Sequence, residues 1–334
     1  MESNSQLIYK LSPLFIRNDV IFLAGYDGEL FEYHPDTGRL SMGQSDFIYC
    51  TDLFTLIQNP METGWGCILI YSGNEFSFPI DNLIEEISII YHLDGYEIVL
   101  HTEEGWQSIR IISSDIQISE HYPHSVRKPL ERGTLQLPHG QLIDLYGISC
   151  VTAVTGEELK FDSILSISAA GLLFSRETNE GNTLYLASIV HPGVDHLEDI
   201  PVNVCAACYD GSTAQFYLTT VTAGQQQIAL FGKSGFTQPV SRDGYYGTIT
   251  PLIADEGVAL FITGSKEGVR IDYPEQNSSR QILPGLSTRK RIFYEAPLLK
   301  VTSLMNPVQE KTNILFSTEA RSPVNGIHPA CLVF

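Results

Sequence analysis

Basic residues are scarce in this sequence, and that scarcity limits the partners it can have. Lys and Arg number 20 against 39 Asp and Glu, which leaves a formal net charge of −19. A surface of that sign repels the phosphates of nucleic acids and of anionic lipids at long range. The basic clusters at Arg127, Lys128 and Arg132 and at residues 289–291 are interpreted as solvated loops. We therefore expect neither a nucleic-acid nor a membrane partner.

Long apolar runs are also absent. No stretch approaches the roughly 18 uninterrupted apolar residues of a transmembrane helix. Residues 1–6 carry no basic segment and no apolar run follows them, so a secretory signal peptide is not predicted. The sequence therefore predicts a cytoplasmic protein.

Cysteine is rare as well, and its placement argues against a metal site. The six cysteines are scattered, mostly within apolar runs, which is typical of buried reduced thiols. Cys205 and Cys208 have the spacing of a zinc-binding pair, but residues three apart on a strand point to opposite faces. Two loop pairs of histidines also lack the regular spacing of a ligand set, namely His121 with His124 and His191 with His196. No metal site is predicted.

Recognisable catalytic motifs are missing. The chain has neither a Gly-x-Ser-x-Gly nucleophile turn nor a glycine-rich phosphate loop. Pairs of neighbouring carboxylates beside predicted turns are interpreted as solvated charges, among them Glu85–Glu86, Glu103–Glu104 and Glu157–Glu158. No cofactor is predicted, and whether the chain is an enzyme stays open at this point.

What the sequence does contain is a succession of short strand-like segments. Apolar runs of Val, Ile, Phe and Tyr are broken by Gly, Asp and Asn, which favours β-strands joined by tight turns. The phrase Ala-x-Tyr-Asp-Gly ends an apolar run at residues 24–28 and again at residues 207–211. Asp-Gly supplies the positive φ that a two-residue hairpin turn requires. Repetition of this phrase indicates an internal repeat of hairpins.

These repeats predict an all-β fold, a single β-propeller domain spanning residues 1–334. About seven units recur at irregular spacing, so six or seven degenerate blades are expected, with an insertion or an unrecognised blade at residues 114–161. We expect the propeller to close by pairing of the apolar residues 7–9 with the apolar residues 331–334. A pair of β-sandwiches is the competing interpretation.

Aromatic residues are plentiful, with 16 Tyr and 16 Phe but only two Trp. Tyrosines beside turns, such as Tyr26, Tyr209 and Tyr273, can present a rigid face to a ligand while the hydroxyl forms a hydrogen bond. The alternative is that these side chains pack between blades.

One segment resembles a known family. Residues 268–282, which include Arg270, resemble the motif that is repeated in each blade of the fungal fucose-binding propeller lectins. Residues 172–184 resemble a degenerate copy of that motif. The resemblance covers about a third of the chain, and it implies sugar pockets between adjacent blades, held by Arg and Glu and stacked on Trp or Tyr. That family repeats its Trp in most blades, whereas this chain has only Trp65 and Trp106, so one or two pockets are expected at most.

The sequence thus predicts a propeller that binds a small polar or carbohydrate ligand in one specialised pocket. The predicted ligand-binding residues are Arg176, Glu177 and Arg270 as polar anchors and Trp65, Trp106, Tyr273, Tyr26 and Tyr209 as aromatic surfaces. Two alternatives stay open. One is a cofactor-free cyclase or isomerase that acts on a small apolar metabolite in a Tyr-lined channel. The other is a protein-interaction scaffold.

Overall fold

Every regular element in the described part of the chain is a β-strand, which confirms the all-β prediction. A computed structural model describes residues 8–24, 30–37, 39–42, 47–62, 64–113, 115–152, 155–200, 202–222, 225–232, 235–237, 248–255, 257–265, 268–284, 293–295, 298–300 and 313–316. Within these ranges there is no helix long and apolar enough to cross a membrane.

The strands follow one another in groups of four, which we number as sheets. Sheet 1 contains β1 (Ile8–Arg17), β2 (Val20–Ala24), β3 (Leu30–His34) and β4 (Arg39–Met42). Sheet 2 contains β5 (Phe47–Cys50), β6 (Thr55–Pro60), β7 (Trp65–Tyr71) and β8 (Asn74–Ile80). Sheet 3 contains β9 (Ile84–His92), β10 (Gly95–Thr102), β11 (Gly105–Ile112) and β12 (Asp115–Ile118), and the short β13 (Tyr122–Pro123) also pairs with β11.

The later groups have the same order. Sheet 4 contains β14 (Thr134–Gln136), β15 (Leu142–Asp144), β16 (Ser149–Val151) and β17 (Glu158–Lys160), and sheet 5 contains β18 (Ser163–Ser168), β19 (Gly171–Thr178), β20 (Gly181–Ser188) and β21 (Val194–Ile200). Sheet 6 contains β22 (Asn203–Asp210), β23 (Gln215–Thr222), β24 (Gln225–Gly232) and β25 (Gly235–Phe236). Sheet 7 contains β26 (Thr248–Ala254), β27 (Gly257–Ser265), β28 (Gly268–Tyr273) and β29 (Ser278–Pro284). Three strands follow, namely β30 (Phe293–Glu295), β31 (Leu298–Lys300) and β32 (Asn313–Phe316).

Tight turns explain why neighbouring segments pair as hairpins. Asn18 and Asp19, between β1 and β2, have φ values of 47° and 62°, and Ser72 and Gly73, between β7 and β8, have φ values of 47° and 74°. Two successive residues with positive φ form the turn whose twist matches that of two antiparallel strands. Short polar sequences therefore fix these hairpins.

The chain divides into two compact units. One unit takes residues 1–43 and 204–321 and so contains sheets 1, 6 and 7. In it, apolar side chains of sheet 1, including Ile16 and Phe31, share a core with Leu252 and Phe261 of sheet 7. Strand β1 also pairs in parallel with β32. The expected partner of the N-terminal strand, residues 331–334, lies outside the described residues.

The other unit takes residues 44–203 and 322–334 and contains sheets 2 to 5 around one continuous apolar core. Sheets 3 and 4 are joined edge to edge, because β14 pairs in parallel with β9, Leu135 lying opposite Ile89. Sheet 4 occupies most of the stretch for which the sequence left an insertion or an unrecognised blade open. Its four strands are short, of three residues each, which explains why periodicity did not reveal them.

Candidate functional site

Three segments of the second unit converge at the end of sheets 3 and 4 where β9 and β14 begin. They are the start of β9 with Glu85 and Glu86, the loop of residues 119–133, and Tyr146 just after β15. We call this region the polar edge and define it by Glu85, Glu86, Ser88, His101, His121, Arg132 and Tyr146. The sequence had suggested solvated charges for the carboxylate pair and for the basic cluster, and no metal-ligand set for the histidine loop.

The strand register places four chemically active side chains in one row. Glu86 lies opposite His101, His101 lies opposite Trp106, and Trp106 lies opposite Tyr122. Residues directly opposite each other in antiparallel strands project from the same face of the sheet. The row therefore crosses β9, β10, β11 and β13 on one face and brings a predicted ligand residue, Trp106, beside the polar edge.

His101 is the buried anchor of this row. Its Nε2 atom lies 2.9 Å from Ser88 Oγ, which in turn donates to the carbonyl of Glu131. Burial lowers the pKa of His101 to about 4, and the neighbouring cations Arg132 and Lys128 lower that pKa further. The imidazole is therefore neutral at physiological pH.

Glu86 and Tyr146 join sheet 3 to sheet 4. The Tyr146 hydroxyl donates to Glu86 Oε1. Burial raises the pKa of Glu86, while the positive charge of Arg132 acts in the opposite direction. Gly133 permits this contact, because its φ is +63° and a Cβ atom there would lie 2.0 Å from the Tyr146 ring.

Arg132 fixes the loop over the start of the sheet. Its Nη1 atom lies 2.6 Å from Glu85 Oε2, and its Nη2 atom donates to the Thr102 carbonyl at 3.1 Å. The side chains of Glu85 and Arg132 are 39% and 38% exposed, and Tyr146 is 49% exposed. Carboxylate acceptors and guanidinium and phenol donors thus reach solvent together, a combination suited to a ligand rich in hydroxyl groups.

The two histidines of the loop have separate partners. His121 Nε2 lies 3.3 Å from Thr102 Oγ1, and His124 Nε2 lies 2.6 Å from the Glu103 carbonyl. Elsewhere, His191 pairs with Asp195 and His196 pairs with Asp199. The described ranges hold no group of three His, Cys, Asp or Glu side chains that could bind a metal ion.

The tryptophans have mainly packing roles. Trp106 is only 8% exposed, its Nε1 donates to the Val126 carbonyl at 3.3 Å, and its ring lies 4.5 Å from that of Tyr122. The loop therefore covers the ring face that a sugar would need. Trp65, on β7 of sheet 2, packs half-buried against the apolar core.

Arg176 and Glu177, on β19 of sheet 5, do not form a joint anchor. The Arg176 guanidinium lies 5.5 Å from the centre of the Phe161 ring and 5.4 Å from that of Tyr185, and it donates to the Lys160 carbonyl. Glu177 is exposed, and as the next residue on the strand it points to the opposite face.

The remaining predicted residues lie in sheets 6 and 7. Arg270 forms a two-point ion pair with Asp272, with Nε to Oδ1 and Nη2 to Oδ2 both at 3.2 Å. Tyr273 packs against the core of sheets 1 and 7, and the Tyr209 ring lies 4.9 Å from that of Phe216. Tyr26 lies outside the described residues. The predicted ligand residues that the structure describes are thus spread over five sheets, and Trp106 lies beside the polar edge.

No family model matches the sequence, and no curated protein matches it. Among solved structures, the β-propeller domain of Cps50 (Swd1) from Myceliophteria thermophila is 12% identical, with 79% of this chain and 94% of that chain covered and a TM-score of 0.35. The β-propeller domain of the Trilobed protease from Pyrococcus furiosus is 12% identical over 83% of this chain and 85% of that chain, with a TM-score of 0.35. A prolyl endopeptidase is 9% identical over 85% of this chain and 50% of that chain, with a TM-score of 0.40.

Proposed function

We propose that the chain is a β-propeller that binds a small polar or glycan ligand at the polar edge. Seven successive groups of four strands in the described residues support the propeller, because a four-stranded blade is the repeating unit of that fold. The contact of sheet 1 with sheet 7 supports closure of the ring near the two ends of the repeat. The number of blades that this proposal implies is seven.

The observation that carries the ligand proposal is the convergence of three distant segments on one solvent-accessible set of donors and acceptors. Glu86 is half-buried and bonded to Tyr146, and Arg132 is held by Glu85 and by a backbone carbonyl. Pockets that bind polar molecules place a few oriented polar groups in this manner on rigid elements. A sugar hydroxyl pair could accept from Arg132 and donate to Glu86.

The test is a glycan array followed by calorimetric titration of the wild-type protein and of Glu86→Gln. The variant keeps the size of the side chain but removes its charge, so we expect affinity to fall about tenfold, the loss typical of a charge-assisted hydrogen bond. The matched control is Glu180→Gln, an exposed residue in the β19–β20 turn, which should bind like the wild type. A blank array, or equal affinity for both variants, contradicts the proposal.

A cyclase or isomerase in a Tyr-lined channel and an interaction scaffold remain predictions, as does the cytoplasmic location. The lectin resemblance also remains a prediction, and its Arg-led segments at Arg176 and Arg270 make internal ion and ring contacts in this structure.

A further inference from the structure

The loop of residues 119–133 is held against sheet 3 by side chains of the sheet. Ser88 Oγ, on β9, donates to the Glu131 carbonyl. Trp106 Nε1, on β11, donates to the Val126 carbonyl at 3.3 Å. Because Trp106 is only 8% exposed beneath the loop, its ring reports whether the loop is in place.

A buried imidazole lies beside the Ser88 hydroxyl. His101, on β10, is 1% exposed, and its Nε2 atom lies 2.9 Å from Ser88 Oγ. A serine hydroxyl has one proton, and that of Ser88 goes to the Glu131 carbonyl, so the imidazole must be the donor in this pair. Two hydrogen bonds in series therefore connect a titratable group of the sheet to the backbone of the loop.

Burial and the charges of the loop both oppose a second proton on the His101 ring. Burial is the largest cause that lowers its pKa to about 4. The cations Arg132 and Lys128 and the His124 side chain lower that pKa further, and the carboxylate of Glu131 acts in the opposite direction. Protonation in place would thus add a positive charge beside two others where almost no solvent reaches.

The sheet supplies little to favour a charged imidazole. Glu86 lies opposite His101 on β9, and the uncharged Trp106 lies opposite it on β11. The Glu86 carboxylate accepts from the Tyr146 hydroxyl, and its charge is not among those that shift the pKa of His101. The elements on both sides therefore leave the imidazole neutral while the loop is in place.

We propose that His101 is a pH-sensitive switch that releases the loop of residues 119–133 from sheet 3 when its imidazole takes up a proton. With the loop released, the imidazole reaches water, where the pKa of histidine is near 6.5, against about 4 with the loop in place. Between these values the released form binds more protons. Its population therefore rises by up to about tenfold for each unit by which the pH falls from about 6.5 to about 4.

Release of the loop dismantles the polar edge. Arg132 belongs to the loop, and Gly133 at its end packs against the Tyr146 ring. Ligand binding at the polar edge should therefore weaken at mildly acidic pH. This consequence rests on the proposed function, whereas the release of the loop does not.

Quenching of tryptophan fluorescence by acrylamide tests the switch. Trp65→Phe leaves Trp106 as the single tryptophan, and acrylamide should quench it at least about twofold more efficiently near pH 5 than near pH 7.5, because the loop leaves its ring. Trp106→Phe leaves Trp65 in sheet 2, and its quenching should stay level, which excludes general unfolding. Equal quenching of Trp106 at both pH values overturns the proposal, and so does a parallel rise at Trp65.

A histidine variant assigns the effect to His101. His101→Gln, made in the Trp65→Phe protein, keeps a donor to Ser88 but cannot titrate, so quenching of Trp106 should no longer depend on pH. The matched control His139→Gln should keep the full dependence. A rise that persists in His101→Gln would mean that another group is the switch. If His101→Gln does not fold, the pH series of the two tryptophan variants decides the outcome. A blank glycan array would remove the ligand but not the release of the loop, so the two proposals fail separately.

Discussion

At the scale of single residues, Gly133 is the position on which the polar edge depends most. Alanine at either Gly133 or Gly156 must adopt a positive φ, of +63° or +68°, which costs about 1 kcal/mol. The two sites differ in their surroundings. A Cβ at Gly133 would collide with the Tyr146 ring and with Glu86, whereas nothing lies within 4 Å of a Cβ at Gly156.

We therefore expect Gly133→Ala to lower the free energy of unfolding by roughly 3 kcal/mol and Gly156→Ala by only about 1 kcal/mol, the difference being the cost of overpacking. Urea denaturation of both variants measures the two losses in free energy of unfolding. Equal losses would mean that Tyr146 and Glu86 do not pack on Gly133.

His101 makes stability depend on pH. Its pKa is about 4 in the folded protein and near 6.5 when unfolded, so between these values the unfolded chain binds more protons. The folded state should therefore lose stability as pH falls from about 6.5 to about 4, by up to roughly 3 kcal/mol. His101→Gln, which keeps a donor to Ser88, should remove this loss, while His139→Gln should not. Denaturation at several pH values measures the free energy of unfolding of each variant. If that free energy falls with pH as steeply in His101→Gln as in the wild type, the account is contradicted.

At the scale of elements, one carboxyl pair links sheet 6 to sheet 7. Burial opposes the ionisation of Asp210, but hydrogen bonds from Glu275, Ser212 and Thr213 together hold its pKa below the usual value. The hydrogen bond to Asp210 raises the pKa of Glu275. Because Glu275 must be protonated to donate, its contribution to stability is complete below pH of about 4.5 and is lost as pH rises through its raised pKa.

Glu275→Gln should keep that hydrogen bond at every pH. We expect it to raise the free energy of unfolding by about 0.5 kcal/mol near neutral pH, with no gain near pH 4.5, since the contact is exposed. Thermal melting at the two pH values measures the effect, with Glu180→Gln as the control. A destabilised Glu275→Gln at neutral pH would show that the pair shares no proton.

The strands could be predicted from the sequence, but the polar edge could not. Apolar runs broken by Gly, Asp and Asn predicted the strands and hairpins, because these depend on neighbours along the chain. The two-residue turn expected at Asp210 and Gly211 was wrong, since residues 211–214 separate β22 from β23 and the positive φ lies at Ala214. The polar edge was beyond such reasoning. Glu86, His101 and Tyr146 are far apart in sequence and meet only through the register of β9 with β10 and the parallel pairing of β9 with β14. The single available signal was the density of ionisable residues at positions 120–132.

At the scale of the whole molecule, ion pairs join residues from opposite ends of the described sequence. Arg280 on β29 lies 2.9 Å from Asp19 in the β1–β2 turn and also pairs with Asp36 in the β3–β4 turn. Arg280→Gln should lower the free energy of unfolding by about 1 kcal/mol, since both carboxylates are largely exposed. It should also speed hydrogen exchange in β1 and β2. Arg110→Gln in sheet 3 should do neither, and unchanged exchange in Arg280→Gln would contradict a contact between sheets 1 and 7.

The most direct test of the ligand site is hydrogen exchange with and without the glycan that binds best on the array. The account predicts slower exchange at residues 82–88, 101–104, 119–133 and 144–147, the segments that form the polar edge. Protection confined to β19 or β28, around Arg176 or Arg270, would contradict it and would favour the pockets that the lectin resemblance implied.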